Sequence, residues 1–340
     1  MHLHTICFVK DERAVTLTWI GKTSPNGDRP PLAKATPKAE PLEPAHVFEA
    51  GEIHRGDNLD VLSALASHRP ETVTLAYLDP PFLTGRLHAK IIKGDSLDHR
   101  TTRVAFDDRW SDRAAYLQAL GDRITETRKL LAAHGSIVVH VDTKTSHYVK
   151  VMMDEIFGEA CFASEIVWRY RRWPSKTPNF QRVHDVLLRY RKDADVAPRW
   201  NTLYEPLAPS TIATWGKNKQ RAVVSETGRR ARSSTTEEKS HGVPMGDVWD
   251  IGVIAPVAKE RTGYPSQKPE ALLERLISAL SSKGDVVLDP YAGSGTTLAV
   301  AARLGRKFIG IDASDVAMET LIGRLESAVG PAYARGKPTR

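Results

Sequence analysis

Four short apolar runs punctuate the chain, and each runs into an acid. Glu71–Leu78 leads to Asp79, Ser136–Val141 to Asp142, Val286–Leu288 to Asp289 and Lys307–Ile311 to Asp312. Such runs bounded by breakers predict buried strands. Between them, apolar residues recur every three or four positions, which predicts helices. These are Leu59–Leu65, Ser111–Ala133 (closed by Gly135), Ser146–Phe157, and a stretch carrying Leu272, Leu273, Leu276, Ile277 and Leu280. Alternating strands and helices imply parallel crossovers, hence an α/β class with a doubly wound, mostly parallel sheet. Ile166–Trp173 and Val186–Arg191 predict two more strands, the antiparallel hairpin that closes one edge.

Three stretches escape the pattern. Residues 1–46 hold a short strand candidate, Ala14–Ile20, and then a Pro- and Lys-rich run that predicts an extended linker. Residues 83–105 mix Gly, Lys, His and Asp without periodicity, which at that length just past a strand end predicts a mobile lid. Segment 164–245 carries 16 Lys/Arg against 8 Asp/Glu, a balance of +8 that accounts for the +7 of the whole 340-residue chain. It also holds Trp168, Trp173, Trp200 and Trp215, with Tyr170, Phe180, Tyr190 and Tyr204. Basic residues interleaved with aromatics point to nucleic acid; the competing reading is a solvated insertion with its own small core. The two cysteines, Cys7 and Cys161, lie far apart, so neither a disulfide framework nor a zinc ribbon is expected, and no metal. No apolar run approaches the ~18 residues of a membrane span. The N-terminus lacks a signal-peptide layout, so the expectation is a soluble, cytoplasmic, nucleoid-associated protein.

Two strand ends carry candidate chemistry. Asp79-Pro80-Pro81-Phe82 places a carboxylate, rigid carbonyls and a flat ring within four residues, at the edge where open α/β sheets bind ligands. That set suits a planar molecule bearing an NH2 group. Asp289-Pro290-Tyr291-Ala292-Gly293-Ser294-Gly295-Thr296 is a glycine turn between strand and helix, and Asp312 ends the following strand, as expected for an adenosine-containing cofactor. The turn is not the GxGxxG of dinucleotide enzymes, and a lone GxG is weak.

Together these motifs resemble the DNA amino-methyltransferases that use S-adenosyl-L-methionine, in the motif order of their β group. The matches span Phe48 to Leu325. The resemblance implies a Rossmann-like methyltransferase sheet with an inserted target-recognition region. Its divisions would be an N-terminal extension over 1–46, catalytic half over 47–192, recognition insertion over 193–247, cofactor half over 248–328 and a tail over 329–340. It implies that double-stranded DNA delivers a flipped-out base whose amine is held by Asp79 and the Pro80 carbonyl, beside Pro81, with Phe82 stacked on the ring. S-adenosyl-L-methionine would be held by Asp57, Asn58, Asp79, Ser266, Gln267, Lys268, Asp289, Pro290, Ala292, Gly293, Ser294, Gly295, Thr296 and Asp312. Phe82 stands where the family more often has Tyr; stacking survives that change. Asp at the first motif position is more typical of adenine-N6 enzymes, so adenine is expected, with cytosine N4 the alternative. Neither cysteine follows a proline in the manner of C5-cytosine enzymes. Arg169, Arg171, Arg172, Arg229, Arg230 and Arg232 are the candidate DNA contacts. A homodimer and a cognate restriction endonuclease are further partners the resemblance allows. The rival readings are another Rossmann-like nucleotide-dependent enzyme, which leaves Asp79–Phe82 unexplained, a methyltransferase acting on RNA or a protein amide, and an inactive DNA-binding protein.

Overall fold

The computed structural model describes residues 43–93, 100–174, 176, 178–224 and 226–329; the expected strand Ala14–Ile20 and most of the N-terminal linker lie outside them. In chain order the strands are β1 (His46–Phe48), β2 (Gly51–Arg55), β3 (Val73–Leu78), β4 (Leu87–Lys93), β5 (Arg100–Asp107), β6 (Leu131–Val141), β7 (Phe162–Arg169), β8 (His184–Arg191), β9 (Tyr204–Glu205), β10 (Asn218–Val224), β11 (Arg230–Lys239), β12 (Val243–Pro244), β13 (Val248–Asp250), β14 (Val286–Asp289) and β15 (Lys307–Asp312). The helices are α1 (Asn58–His68), α2 (Arg113–Leu130), α3 (Ser146–Phe157), α4 (Pro209–Trp215), α5 (Glu270–Leu280), α6 (Thr296–Arg303) and α7 (Asp315–Val329). The chain divides into two units, and Asn201–Asp247 forms the second.

The first unit is built on a nine-stranded sheet of order β1-β2-β15-β14-β3-β6-β8-β7-β13. Strands β2, β15, β14, β3 and β6 run parallel, as the alternation predicts. All six residues of β3 are buried, because helices cover both faces of a central parallel strand. Each large side chain there, such as Leu75 or Tyr77, contributes about 1.5–3 kcal/mol by leaving water. From β14 the chain crosses through α6 to β15 on one side; from β3 it crosses through α2 to β6 on the other. The boundary between β14 and β3 is therefore the topological switch, where loops leaving the two strand ends diverge and open a crevice.

Three expectations need correction. First, β7 and β8 do form an antiparallel hairpin, but it does not close the sheet: β13 adds outside β7, parallel to it. Three residues are too few to show a period. They are held by the burial of Trp249 and by Trp168 Nε1 donating to the Ile251 carbonyl at 2.8 Å. Second, α2 ends at Leu130 rather than near Gly135. The buried Leu131 is already extended and paired with Val73, an apolar residue that fits either period. Third, much of segment 83–105, which showed no periodicity, is an antiparallel ribbon, β4 with β5. Arg103 pins it to Glu319 of α7 at 2.6 and 2.9 Å, and Lys90 donates to Thr320 at 2.8 Å. The second unit consists of α4, the β10–β11 ribbon and the short β9–β12 pair.

Candidate active site

Leaving β3, the chain passes through Asp79, Pro80, Pro81 and Phe82 and then turns sharply, with Leu83 at φ +55. A left-handed leucine is strained and persists only where its surroundings hold it. Here Asp108, 1% exposed, does the holding. Its carboxylate accepts from Leu83 N at 3.0 Å, Thr84 N at 2.7 Å, the Thr84 hydroxyl at 2.5 Å and Trp110 Nε1 at 3.2 Å. Its own backbone is tied to Gly85 and Arg86. Asp108 thus sets how Phe82 leaves the strand.

Around Asp79 the structure assembles groups from three strands, β3, β6 and β8, and from the loops holding Lys268 and Tyr170. Lys268 donates from Nζ to Asp79 Oδ2, and to the Ser266 carbonyl at 3.2 Å. Asp79 Oδ1 is buried and no described residue hydrogen-bonds it. His140 of β6, wholly buried, has Nδ1 3.7 Å from that oxygen and shares a 2.8 Å hydrogen bond with the Tyr77 hydroxyl. On its other side, His140 Nε2 lies 3.6 Å from Asp185 of β8, which also accepts from the Tyr170 hydroxyl at 3.0 Å. Burial alone would raise the Asp185 carboxyl; the His140 imidazole, Lys268 and Tyr170 outweigh it and hold it below the usual range. Phe82 rests 5.4 Å from the His140 ring and 5.2 Å from Lys268 Nζ.

Across the switch point, Asp289 ends β14 fully buried and accepts from Tyr291 N at 3.0 Å. Burial, reinforced by the charges of Asp79 and Asp312, pushes its carboxyl up to about 7 against the bonds from Thr297 and Tyr291. Gly293 follows at φ +50, and a Cβ there would meet the Tyr264 ring at 3.2 Å. Asp312 receives the Gly293 N–H on one oxygen and the Ser314 N–H on the other, both at 2.9 Å, and burial raises it too. Ala313 N–H adds a third backbone bond, and a carboxylate with about four acceptor sites still has capacity for a ligand. Asn58 donates to the Pro290 carbonyl at 2.8 Å and accepts from Arg123. Asp57 caps α1 through Leu59 N at 2.8 Å and pairs with the same guanidinium at 3.0 Å.

These walls enclose a cavity of about 360 Å³. Of the residues singled out by motif, Asp57, Asn58, Asp79, Pro80, Pro81, Phe82, Ser266, Gln267, Lys268, Asp289, Pro290, Ala292, Gly293, Ser294, Thr296 and Asp312 line it. Gly295 does not: it caps α6 in the left-handed conformation, where a Cβ would sit 2.8 Å from Leu321. Gln267 spends its amide on its own loop, donating to the Glu260 carbonyl at 2.6 Å and accepting from Thr262 N and Oγ1 at 2.8 Å. Trp110, Tyr116 and Arg123 line the cavity without any motif to mark them, beside Tyr264 and Tyr291, which stand inside motif stretches but had no role assigned. His140 and Asp185 were equally hidden. The acid-ended second strand was the available signal for His140, since it sits two residues before Asp142.

The candidate DNA arginines are dispersed in role. Arg169 forks onto Asp250, with Nη2 at 2.7 Å from it, and ties β7 to β13. Arg172 lies 5.1 Å over the Tyr170 ring and donates to its hydroxyl at 3.2 Å. Arg171 and Arg229 are exposed, whereas the side chains of Arg230 and Arg232 fall outside the described residues. Trp168 and Tyr170 are buried against the His140 cluster, so part of the aromatic content of the basic segment is core.

A parallel sheet with a crevice at its switch point, an Asp-Pro-Pro-Phe strand end and a glycine turn beside it define the amino-methyltransferase class. Residues 73–322 match the N6_N4_Mtase family model, described as DNA methylase, and the chain belongs to that family. It is a DNA methyltransferase of the adenine-N6 or cytosine-N4 type. Among curated relatives, DNA adenine methyltransferase YhdJ of Escherichia coli K12 is 30% identical over 281 residues, covering 82% of this chain and 84% of that protein. Type II methyltransferase M.HpaI of Haemophilus parainfluenzae is 29% identical, covering 79% and 73%. The PvuII DNA methyltransferase (cytosine-N4-specific) shares the fold at TM-score 0.53 and 18% identity, over 83% of this chain and 87% of that one.

Proposed function

We propose that the cavity binds S-adenosyl-L-methionine and that the chain methylates the N6 amine of an adenine flipped out of double-stranded DNA. Asp79 carries this reading: one carboxylate oxygen is held by Lys268, while the other is buried with no described partner, beside the rigid Pro80 carbonyl and the Phe82 ring. An unsatisfied buried acceptor is costly unless a ligand completes it. The cofactor fits on the same footing: Asp79 and Asp312 face the cavity, complementary to a sulfonium cation, and Gly293 leaves room beside Tyr264.

When bound, S-adenosyl-L-methionine supplies an electrophilic methyl group. The chain's own residues do the rest by position. Asp79 Oδ1 and the Pro80 carbonyl accept the two N–H bonds of the amine, drawing its nitrogen from planar toward tetrahedral and freeing its lone pair. Phe82 stacks on the base; any ring presents a face to it. Asp79 is then the nearest base for the proton the methylated nitrogen sheds. Asp57, Asn58, Ser266, Lys268, Pro290, Ala292, Ser294 and Thr296 line the cofactor's share of the cavity in this reading, with Gly295 shaping the turn from behind.

The second unit and the adjoining basic segment are proposed as the target-recognition region, with Arg171, Arg172 and Arg229 among the exposed members of the arginine set. No described helix is long and apolar enough to cross a membrane; a cytoplasmic protein residing on DNA is the reading that follows. A restriction endonuclease partner is suggested by relatives named type II methyltransferases, and a homodimer stays a proposal on the same level. Adenine is preferred because the E. coli relative is a DNA adenine methyltransferase and because Asp stands at the first motif position. Single-molecule sequencing of DNA from a host expressing the chain tests this reading. N6-methyladenine in one sequence context is expected; N4-methylcytosine would replace the base assignment, and unmodified DNA would overturn the reading.

A further inference from the structure

Between β7 and β8 the chain makes a loop of which only Tyr170, at its base, takes part in the methyl-transfer site. It displays two aromatic rings, Trp173 at 93% and Phe180 at 101% exposure. Large rings left in water within one loop mark a contact surface, because a folded chain gains by hiding them. The loop is braced across its width: Gln181 Nε2, next to Phe180, donates to the Trp173 carbonyl at 2.7 Å. That bond ties the two arms of the loop together at Trp173 and Gln181. At its base, Arg182 is anchored on the buried Asp142 at 2.7 Å. Pro174 and Pro178 each fix their own φ within the loop.

Charge and position narrow the partner. From Trp168 to Arg182 the chain has five basic residues and no acid. Arg169 and Arg182 are engaged in ion pairs, but Arg171, Arg172 and Lys176 are exposed in the same loop, Arg172 with one bond to the Tyr170 hydroxyl. Strand β7 is antiparallel to β8, which is antiparallel to β6, so β7 ends at the same sheet edge as β3. The loop therefore rises beside Asp79, three strands away, roughly 14 Å at the usual strand spacing. A duplex whose target base reaches the cavity would present its base stack and phosphates there.

We propose that Trp173 and Phe180 form a wedge that enters the base stack as the target base leaves it, with Arg171, Arg172 and Lys176 on the flanking phosphates. This rests on the site being a base-flipping one. Extruding a base breaks stacking and pairing, and an aromatic side chain inserted in its place restores part of the stack. The wedge would thus lower the cost of extrusion without touching the chemistry.

Trp173→Ala, Phe180→Ala and the double variant test it by single-turnover methylation at saturating enzyme, using a duplex that carries the site found by sequencing. A second duplex places an abasic position opposite the target base, so that no pair has to be broken. The double variant is expected to be about 10- to 100-fold slow on the paired duplex and within about 3-fold of wild type on the abasic one. Equal slowing on both duplexes would overturn the proposal, as would an unchanged rate on the paired duplex. Calorimetric affinity for S-adenosyl-L-methionine should be unchanged, which separates lost wedging from lost folding. Failure of the methyltransferase reading itself would show differently, as a wild-type chain that modifies neither duplex.

Discussion

Asp289 offers a quantitative test of the cavity's electrostatics. It is fully enclosed at the end of β14, and burial pushes its carboxyl to about 7. Because its affinity for a proton is higher in the folded chain than in the unfolded one, folding takes up a proton between about pH 4 and 7. Stability must therefore fall as pH rises through that window and level off above it. From an unfolded value near 3.9 to a folded one near 7, the burden carried by this group grows by roughly 2–3 kcal/mol between pH 5 and pH 8. Asp289→Asn removes the titration while its side-chain oxygen still accepts from Tyr291 N. Urea unfolding of both proteins at constant ionic strength measures the difference. The stability of Asp289→Asn relative to wild type is expected to rise by roughly 2–3 kcal/mol from pH 5 to pH 8. A difference that stays flat, or one that falls, would refute the assignment of a protonated, buried Asp289.

Other consequences are simpler to state. Lys268→Met leaves the Asp79 carboxylate without its ion-pair partner at a site where the two side chains are 10% and 18% exposed; a cost of about 2 kcal/mol, between surface and buried values, predicts about 30-fold lower kcat/KM. Asp108→Ala strips acceptors from Leu83, Thr84 and Trp110 and should lower stability by about 3 kcal/mol in thermal unfolding, with slower methylation because Phe82 loses its fixed departure; a drop of only a few tenths would contradict that role. DNA affinity should fall steeply with salt as counterions are displaced by the basic segment, and reversing Arg171 and Lys176 to Glu should flatten the slope.

Much of this architecture was legible because its strands are central and buried. Runs such as Val73–Leu78 have no polar face to blur them, and the acids that end three of them sit where the sheet opens. The cofactor turn was legible for a similar reason: close backbone approach demands glycine at Gly293. What escaped was set by contacts distant in sequence. β13 exists because Trp249 and Ile251 find Trp168, which no local period reveals. The β4–β5 ribbon alternates too weakly to be read, since one face rests on α7 and the other keeps Leu87, Ile91 and Val104 in solvent. His140, Asp185 and Asp108 belong to different strands or loops and meet only after folding. The arginines were over-read for the same reason: Arg169 looks like a DNA contact until Asp250 arrives beside it.

Asp79→Ala puts the whole reading at stake in one substitution. Side by side with wild type, it should be assayed for methyl transfer to duplex DNA, for S-adenosyl-L-methionine affinity by calorimetry and for duplex affinity at one fixed salt concentration. The geometry around Oδ1 predicts transfer reduced by at least about 10³-fold, an electrostatic and positioning loss, with duplex affinity within a few-fold. Transfer at the wild-type rate would mean that the amine is held by something other than Asp79.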